Sequence, residues 1–286
     1  MLSFRKSFTL LAVSAAVMAP LSAFSWIDTG HMIVSAIAAK NLKPGVRAKI
    51  DALLKTGGDD RSQDFYGAAS WADDTKTREN GMWHYIDYYF RSDGKPAVNK
   101  PDEQNVVWAI NKFSAVLADK SASEADRADA LRYVIHFVGD IHQPLHATSR
   151  ESDAMPKGDA GGNRFKIGPV DGIKSTHPNL HLLWDFACTF YVSVPRPLTV
   201  EGKAQIDAYA AQIMADYPKK SLKNVKDLNP DDWAQESFGI AKAVVYNLDE
   251  GTTPSAEYIA KGKKVSEERL ALAGYRLAEL LNKLLA

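Results

Sequence analysis

Four of the chain's seven histidines stand at spacings suited to gathering metal ions. In HFVGDIHQPLH, His136 and Asp140 are four residues apart and so share one helix face, while His146 returns just beyond the break at Pro144. In HLLWD, His181 and Asp185 repeat that pairing on a second helix. Two helices that each offer an imidazole and a carboxylate on one inward stripe supply the nitrogen and oxygen donors that Zn2+ takes. Either pair alone would fit a surface His/Asp contact; both together favour a metal centre. Asp73 in SWADD and His84 in WHYIDY complete the candidate set, although a solvated Asp and a core His are the ordinary readings of each taken singly.

The elements that must position these residues are helical. Apolar residues at three- and four-residue spacing predict helices over 30–41, 44–55, 62–74, 102–119, 124–143, 177–192, 201–217, 230–248 and 266–285. Starts are signalled by Ser123-Glu124, Asn229-Pro230-Asp231 and Ser266-Glu267-Glu268, where a side-chain oxygen caps free amides and acids face the positive helix end. Pro144 closes another helix near Gln143, and His177 reads as a helix-start residue. Few segments alternate as strands do, and neither a repeat nor a long Pro/Ser linker divides the chain. The expectation is a single all-α domain over 26–286 with a long irregular loop around 149–176. That loop is rich in glycine (Gly158, Gly161, Gly162, Gly168, Gly172), and a connection of such length is usually functional or disordered.

Ahead of this domain, Arg5 and Lys6 precede an apolar run from Ser7 to Ala19, followed by Ala23-Phe24-Ser25, the pattern of a secretory signal peptide over residues 1–25. Its removal makes Trp26 the first residue and takes the net charge from 0 to −2. The freed α-amine and carbonyl of Trp26 can close a five-membered chelate ring on a metal, with His31 following in the same segment. The protein is therefore expected to be exported, periplasmic or secreted. Its 45% hydrophobic and 24% charged residues exclude a disordered, collagen-like or polytopic membrane chain. Basic and acidic residues number 35 each, so no global field holds nucleic acid and any anion binding is local. The single cysteine, Cys188, cannot form an intrachain disulfide and reads as a buried thiol. His142 lies off the ligand spacing and reads as supporting or core; Trp83, Trp108, Trp184 and Trp233 read as core. The basic stretch KKSLKNVK at 219–226 reads as a solvated loop, with a substrate track as the alternative.

Together these pieces resemble the zinc-dependent single-strand nucleases of the S1/P1 type, found in fungi, plants and some bacteria, and the chain reads as a bacterial member. The resemblance rests on Trp26-x4-His31, Ser70-Trp71-Ala72-Asp73, His84-Tyr85-Ile86-Asp87, His136-x3-Asp140-x5-His146, Gly161-Gly162-Asn163, His181-x3-Asp185 and the closing LAGYRLAELLN. It implies three zinc ions. One would be held by Asp73, His84 and His136, a second by the Trp26 amine and carbonyl with His31, and a third by His146, His181 and Asp185, with Asp140 bridging the first two. It further implies that Tyr85 stacks a base, that Asp87 hydrogen-bonds a base edge and that Asn163 contacts substrate. Lys76 stands where the family has a transition-state arginine, keeping the charge but losing the bidentate fork. The chain also lacks the disulfides of eukaryotic members, and its Asp73-to-His84 separation is short for the family.

The implied activity is endonucleolytic hydrolysis of single-stranded DNA and RNA to 5′-phosphorylated products, with 3′-nucleotidase action on nucleotides. Zinc lowers the pKa of a coordinated water to roughly 7–9, Asp73 orients that water, and a local charge of about +3 attracts phosphodiesters to an otherwise acidic protein. Tyr85 offers a stacking face worth about 1–3 kcal/mol that a paired base cannot reach, although a core aromatic fits its apolar surroundings as well. The expected molecule is a monomer without stable membrane association. A zinc-dependent phospholipase C is the nearest alternative and a non-catalytic zinc-binding module a more distant one.

Overall fold

The segment DTGHMIVSAIAA is apolar on almost every side, which suits a helix with no solvent face. In the structure, a computed structural model that describes residues 26–286, it forms α1 (Asp28–Ala39), buried at every position from Thr29 to Ala38. The leader read at 1–25 lies outside the described residues. Helix α1 packs against α5 (Glu124–Asp140), α7 (Val200–Asp216) and α9 (Ala256–Leu284). Gly274 permits the crossing with α9, since a Cβ there would stand 2.5 Å from Ile37 Cβ. Full burial of Ile33 and Ile37 at this crossing is worth roughly 1.5–3 kcal/mol each.

Helix α5 begins where its capping signal places it, the Ser123 hydroxyl accepting from the Asp126 N–H at 3.1 Å. It stops at Asp140 rather than Gln143, because the Gln143 side-chain carbonyl accepts from the Leu145 N–H and opens the tight turn Pro144–Ala147. Its neighbour α4 (Val106–Ala118) starts at an Asn105 cap, inside the expected 102–119. α2 (Pro44–Leu53) and α8 (Pro230–Ile240) begin at prolines, and α8 runs on into one wide turn at Ala241–Val245.

Three expectations change. The stretch 62–74 is broken into a tight turn, Gly67–Ser70, and a single-turn α3 (Trp71–Asp74). The stretch 177–192 keeps only α6 (Leu180–Asp185), capped by Asn179 rather than His177, and positive φ at Ala187, Cys188 and Thr189 (48°, 50° and 68°) turns the chain away. Helix α9 starts at a Ser255 cap, so Ser266 is an interior, buried residue and not a start.

One small parallel ribbon was not legible from alternation: β1 (Tyr89–Arg91) pairs with β2 (Ser149–Glu151), Tyr89 opposite Ser149. Its strands are too short for a period to register. The ribbon holds the chain after His84 beside the chain after His146. Beyond β2 the long loop is organised by Asp159, a buried carboxylate that accepts from Arg150 N–H, Gly162 N–H and the Tyr246 hydroxyl. Trp184 and Trp233 are buried, Trp83 and Trp108 half-buried against the core, and Cys188 is a buried free thiol whose pKa burial pushes up. Among the described residues the architecture is mainly helical.

Candidate metal centre

The candidate ligands come from the ends of elements rather than their middles. His31 lies in the first turns of α1, Asp73 in α3, and His84 closes the turn Gly81–His84. His136 and Asp140 form the last turn of α5, His146 lies in the turn after Pro144, and His181 and Asp185 occupy α6. All are buried except Asp73, which keeps 19% of its side chain exposed and so faces the opening.

Three groups of ligand atoms converge: His31, Asp73 and His136; His84, His136 and Asp140; and His146, His181 and Asp185. His136 belongs to two of them. Asp73 also stands 3.5 Å from His84 Nδ1 and 3.8 Å from His136 Nε2. The two oxygens of Asp140 face different partners. Oδ2 lies 3.0 Å from His84 Nδ1 and 3.2 Å from His136 Nε2, while Oδ1 lies 3.4 Å from His31 Nε2 and 3.9 Å from His146 Nδ1. In the third group His181 Nε2 is 3.5 Å from Asp185 Oδ2. A tetrahedron with bonds of about 2.1 Å has donor–donor edges of about 3.4 Å, so these separations suit zinc.

Outer hydrogen bonds select the tautomers. His136 Nδ1 donates to Ala69 O (2.6 Å), His146 Nδ1 to His84 O (2.8 Å) and His181 Nδ1 to Gly161 O (2.6 Å). A carbonyl only accepts, so each Nδ1 carries the proton and each Nε2 keeps its lone pair. Gln143 Nε2 donates to Asp185 Oδ1 at 2.7 Å and orients that carboxylate. Gly139 allows His31 into the cluster, since a Cβ there would lie 2.7 Å from His31 Nδ1. Trp26 is fully buried beside them, its indole Nε1 donating to Gly139 O at 3.0 Å, and Ile27 N–H donates to Asp185 O.

Without a cation the groups disagree over charge. Burial opposes a charge on His136, but the Asp140 and Asp73 carboxylates outweigh it and push its pKa up to about 9. Burial pulls His84 down to about 4, and burial together with His136 lowers His31. Asp140 is held well below the usual carboxylate range despite burial, chiefly by His136. Burial, reinforced by Asp73 and Asp140, drives Asp185 well above that range. Buried carboxylates crowded together ionise readily only with positive charge between them, so the donor chemistry and the electrostatics fit divalent cations.

The sequence model of the S1/P1 Nuclease family matches residues 26–286. The chain belongs to that family. It is 29% identical over 299 residues to Nuclease S1 of Aspergillus oryzae, covering 96% of each chain. It is 28% identical to Endonuclease 4 of Arabidopsis thaliana, with 92% of this chain and 90% of that one aligned. Nuclease P1 of Penicillium citrinum is 26% identical across 91% of this chain and 97% of its own.

In this S1/P1 nuclease the expected rim residues fall on segments tied to the candidate ligands. Tyr85 and Asp87 flank Ile86, whose N–H donates to His146 O at 2.8 Å. Tyr85 is half-buried with an extended backbone, φ −149°, and its carbonyl accepts from Val106 N–H. Burial, assisted by Asp159, pushes the Asp87 carboxyl up to about 7, and the Tyr89 hydroxyl lies 3.4 Å away. Lys76 Nζ is 3.7 Å from Asp73 Oδ1. Asn163 turns its amide onto Ala160 O within its own loop.

Several residues that shape the centre had no signal in the sequence. Asp159 fixes the loop whose Gly161 carbonyl orients His181. Arg196 grips Asp74 through both terminal nitrogens (2.7 Å each) and Asp28 through Nε (2.8 Å), joining the start of α1 to the turn bearing Asp73. Behind α5, His142 donates from Nδ1 to Val138 O and accepts at Nε2 from Arg276. Its place between two ligands in HFVGDIHQPLH was the only hint.

Proposed function

We propose that this nuclease is an exported zinc-dependent endonuclease that hydrolyses phosphodiesters of single-stranded DNA and RNA to 5′-phosphorylated products and removes 3′-phosphates from nucleotides. The observation that carries the reading is Asp140, a fully buried carboxylate whose two oxygens face separate sets of imidazoles. Asp73, His84, His136 and Asp140 would hold one zinc, and Trp26, His31 and Asp140 a second. His146, His181 and Asp185 would hold a third. Bound zinc supplies a water acidic enough to attack phosphorus near neutral pH and charge to stabilise the departing 3′ oxygen.

The remaining steps belong to the chain. Asp73, the most exposed of the ligand carboxylates, accepts a hydrogen bond from the attacking water and aligns it with the scissile phosphorus. Lys76 brings a point charge to the phosphoryl oxygens at the same edge. Tyr85 gives an unstacked base a face to lie on, and Asp87 meets the base edge. Because its carboxyl titrates near 7, Asp87 both donates and accepts in the neutral range. A paired base must first leave its stack, which accounts for single-strand preference. Residues 26–286 act as one domain and as a monomer. No helix among the described residues is long and apolar enough to cross a membrane.

The test is a metal count on leader-cleaved protein, coupled to digestion of single-stranded oligonucleotide, matched duplex and phosphatidylcholine, with end-group analysis of the products. About three zinc ions per chain, preference for the single strand and 5′-phosphate ends are expected. Equal rates on duplex and single strand, 3′-phosphate ends or preferred lipid hydrolysis would overturn the proposal.

A further inference from the structure

The connection between α7 and α8 carries Lys219, Lys220, Lys223 and Lys226 within KKSLKNVK, with no acid among them. In a chain whose charges sum to zero, this is a local positive field. Its backbone is held from beneath. Arg276, fully buried in α9 and ion-paired with Glu236, donates from Nε and Nη2 to Asn224 O (3.3 and 3.1 Å), where Asn224 takes a positive φ of 57°. Trp233 Nε1 donates to Asp227 O at 3.0 Å and the Tyr275 hydroxyl to Tyr217 O at 3.1 Å. This segment lines a groove of about 820 Å3 through Leu222, Val225, Lys219, Lys220 and Lys226. Lys219 is paired with Glu279, whereas Lys220, Lys223 and Lys226 are exposed and make no ion pair among the described residues. The one lining acid, Asp227, accepts from the Asn229 N–H.

We propose that this groove is a second, metal-independent binding site for the sugar–phosphate backbone of single-stranded nucleic acid, separate from the candidate metal centre. The inference rests on the single-strand nuclease reading above. Three exposed ammonium groups on flexible stems, Lys220 and Lys226 lining the groove and Lys223 in the same loop, suit a flexible chain of phosphates better than one small anion. A membrane surface is disfavoured by the loop's side chains: among the described residues the exposed large apolar ones are Val98, Val192 and Val200, and none lies in this segment to anchor in lipid.

The test uses the leader-cleaved protein with Lys220→Ala, Lys223→Ala and Lys226→Ala combined, three exposed changes outside the catalytic centre. Binding of a labelled oligothymidylate of about 25 nucleotides is followed by anisotropy with metals removed by chelator, and cleavage of that strand and of a thymidylyl dinucleotide is followed with zinc present. Removing three phosphate contacts should lower the slope of log K against log salt by about 2 and weaken binding at least about tenfold at low salt. KM for the long strand should rise, while cleavage of the dinucleotide stays unchanged. Unaltered strand affinity and salt slope in the triple variant would overturn the groove, as would loss confined to binding of phosphatidylserine vesicles. Failure of the unsubstituted protein to cleave either substrate would instead overturn the nuclease reading, and the metal-free binding arm keeps the two failures apart.

Discussion

Replacing Asp140 by Asn changes the charge of the proposed bridge while nearly keeping its volume, and its consequences divide into a metal-bound and a metal-free part. With metals, one carboxylate serves two proposed ions, so the zinc content of purified protein should fall from about three to about one. Loss of a residue that merely orients a ligand weakens metal binding about 10–100-fold, and loss of a shared ligand should exceed that for each ion. In chelator the effect is purely electrostatic. His136 Nε2 stands 3.2 Å from Asp140 Oδ2, and its pKa is pushed up to about 9 from an ordinary 6.5, a difference on the order of 3 kcal/mol in favour of the folded, charged form. A histidine raised on folding contributes that stability fully below about pH 6.5, and the contribution fades as the pH climbs through about 9. Asp73 retains part of the effect, so metal-free Asp140→Asn should melt about 5–10 °C lower than the parent at pH 6 and much closer to it at pH 9.5. Zinc analysis and paired thermal melts read both parts. Full zinc content with normal turnover would refute the bridge, and an equal melting deficit at both pH values would refute the charge argument.

Other perturbations probe the neighbouring geometry. Gly139→Ala places a methyl 2.7 Å from His31 Nδ1 and should cost about 1–3 kcal/mol by overpacking while lowering zinc content, both absent if the imidazole can move aside. Asp87→Asn should raise the melting temperature at pH 8 but not at pH 4: a carboxyl raised to about 7 takes up protons on folding, so its burden on stability grows as pH rises from about 4 to 7, and an equal gain at both pH values would contradict this. Arg196→Ala should reduce zinc affinity about tenfold by uncoupling Asp28 from Asp74, and Arg196→Lys should recover little of it because Lys lacks the fork; full rescue by Lys would remove the geometric role. Protein made without export, with Met retained before Trp26, should lose zinc and activity because the proposed chelating amine becomes an amide, and undiminished turnover would exclude that amine as a ligand.

What the sequence conveyed about this centre follows from the range over which each signal acts. The i,i+4 pairs His136/Asp140 and His181/Asp185 are local to one helix and were legible, as were the starts at Ser123 and Asn229. The start at Ser266 was misplaced because the same capping chemistry at Ser255 stands earlier in the chain. The reversal at Ala187, Cys188 and Thr189 was invisible because left-handed backbone at three successive non-glycine residues carries no compositional mark. A grouping of the candidate ligands came only from resemblance. Geometry adds that His136 sits between two groups, stacked on His31 with ring centroids 3.9 Å apart.

The same distinction explains why a mainly helical protein gathers its candidate metal ligands where its helices end. A histidine ligand needs its outer nitrogen tied to an acceptor, and carbonyls inside a helix are already occupied by the ladder. His142, in the turn just past α5, instead returns its Nδ1 to Val138 O, a carbonyl of the helix's last turn, and faces Arg276 rather than the cluster. His136, His146 and His181, which do face the cluster, find acceptors in broken backbone: Ala69 in a tight turn, His84 at the close of another, and Gly161 at a positive φ of 60°. The break in the helix expected over 62–74 and the glycine-rich loop are thus the source of the carbonyls, Ala69 O and Gly161 O, that decide which nitrogen His136 and His181 present. Sequence spacing marks the pairs local to one helix; the free carbonyls of the irregular segments set the tautomer in which His136, His146 and His181 meet the cluster.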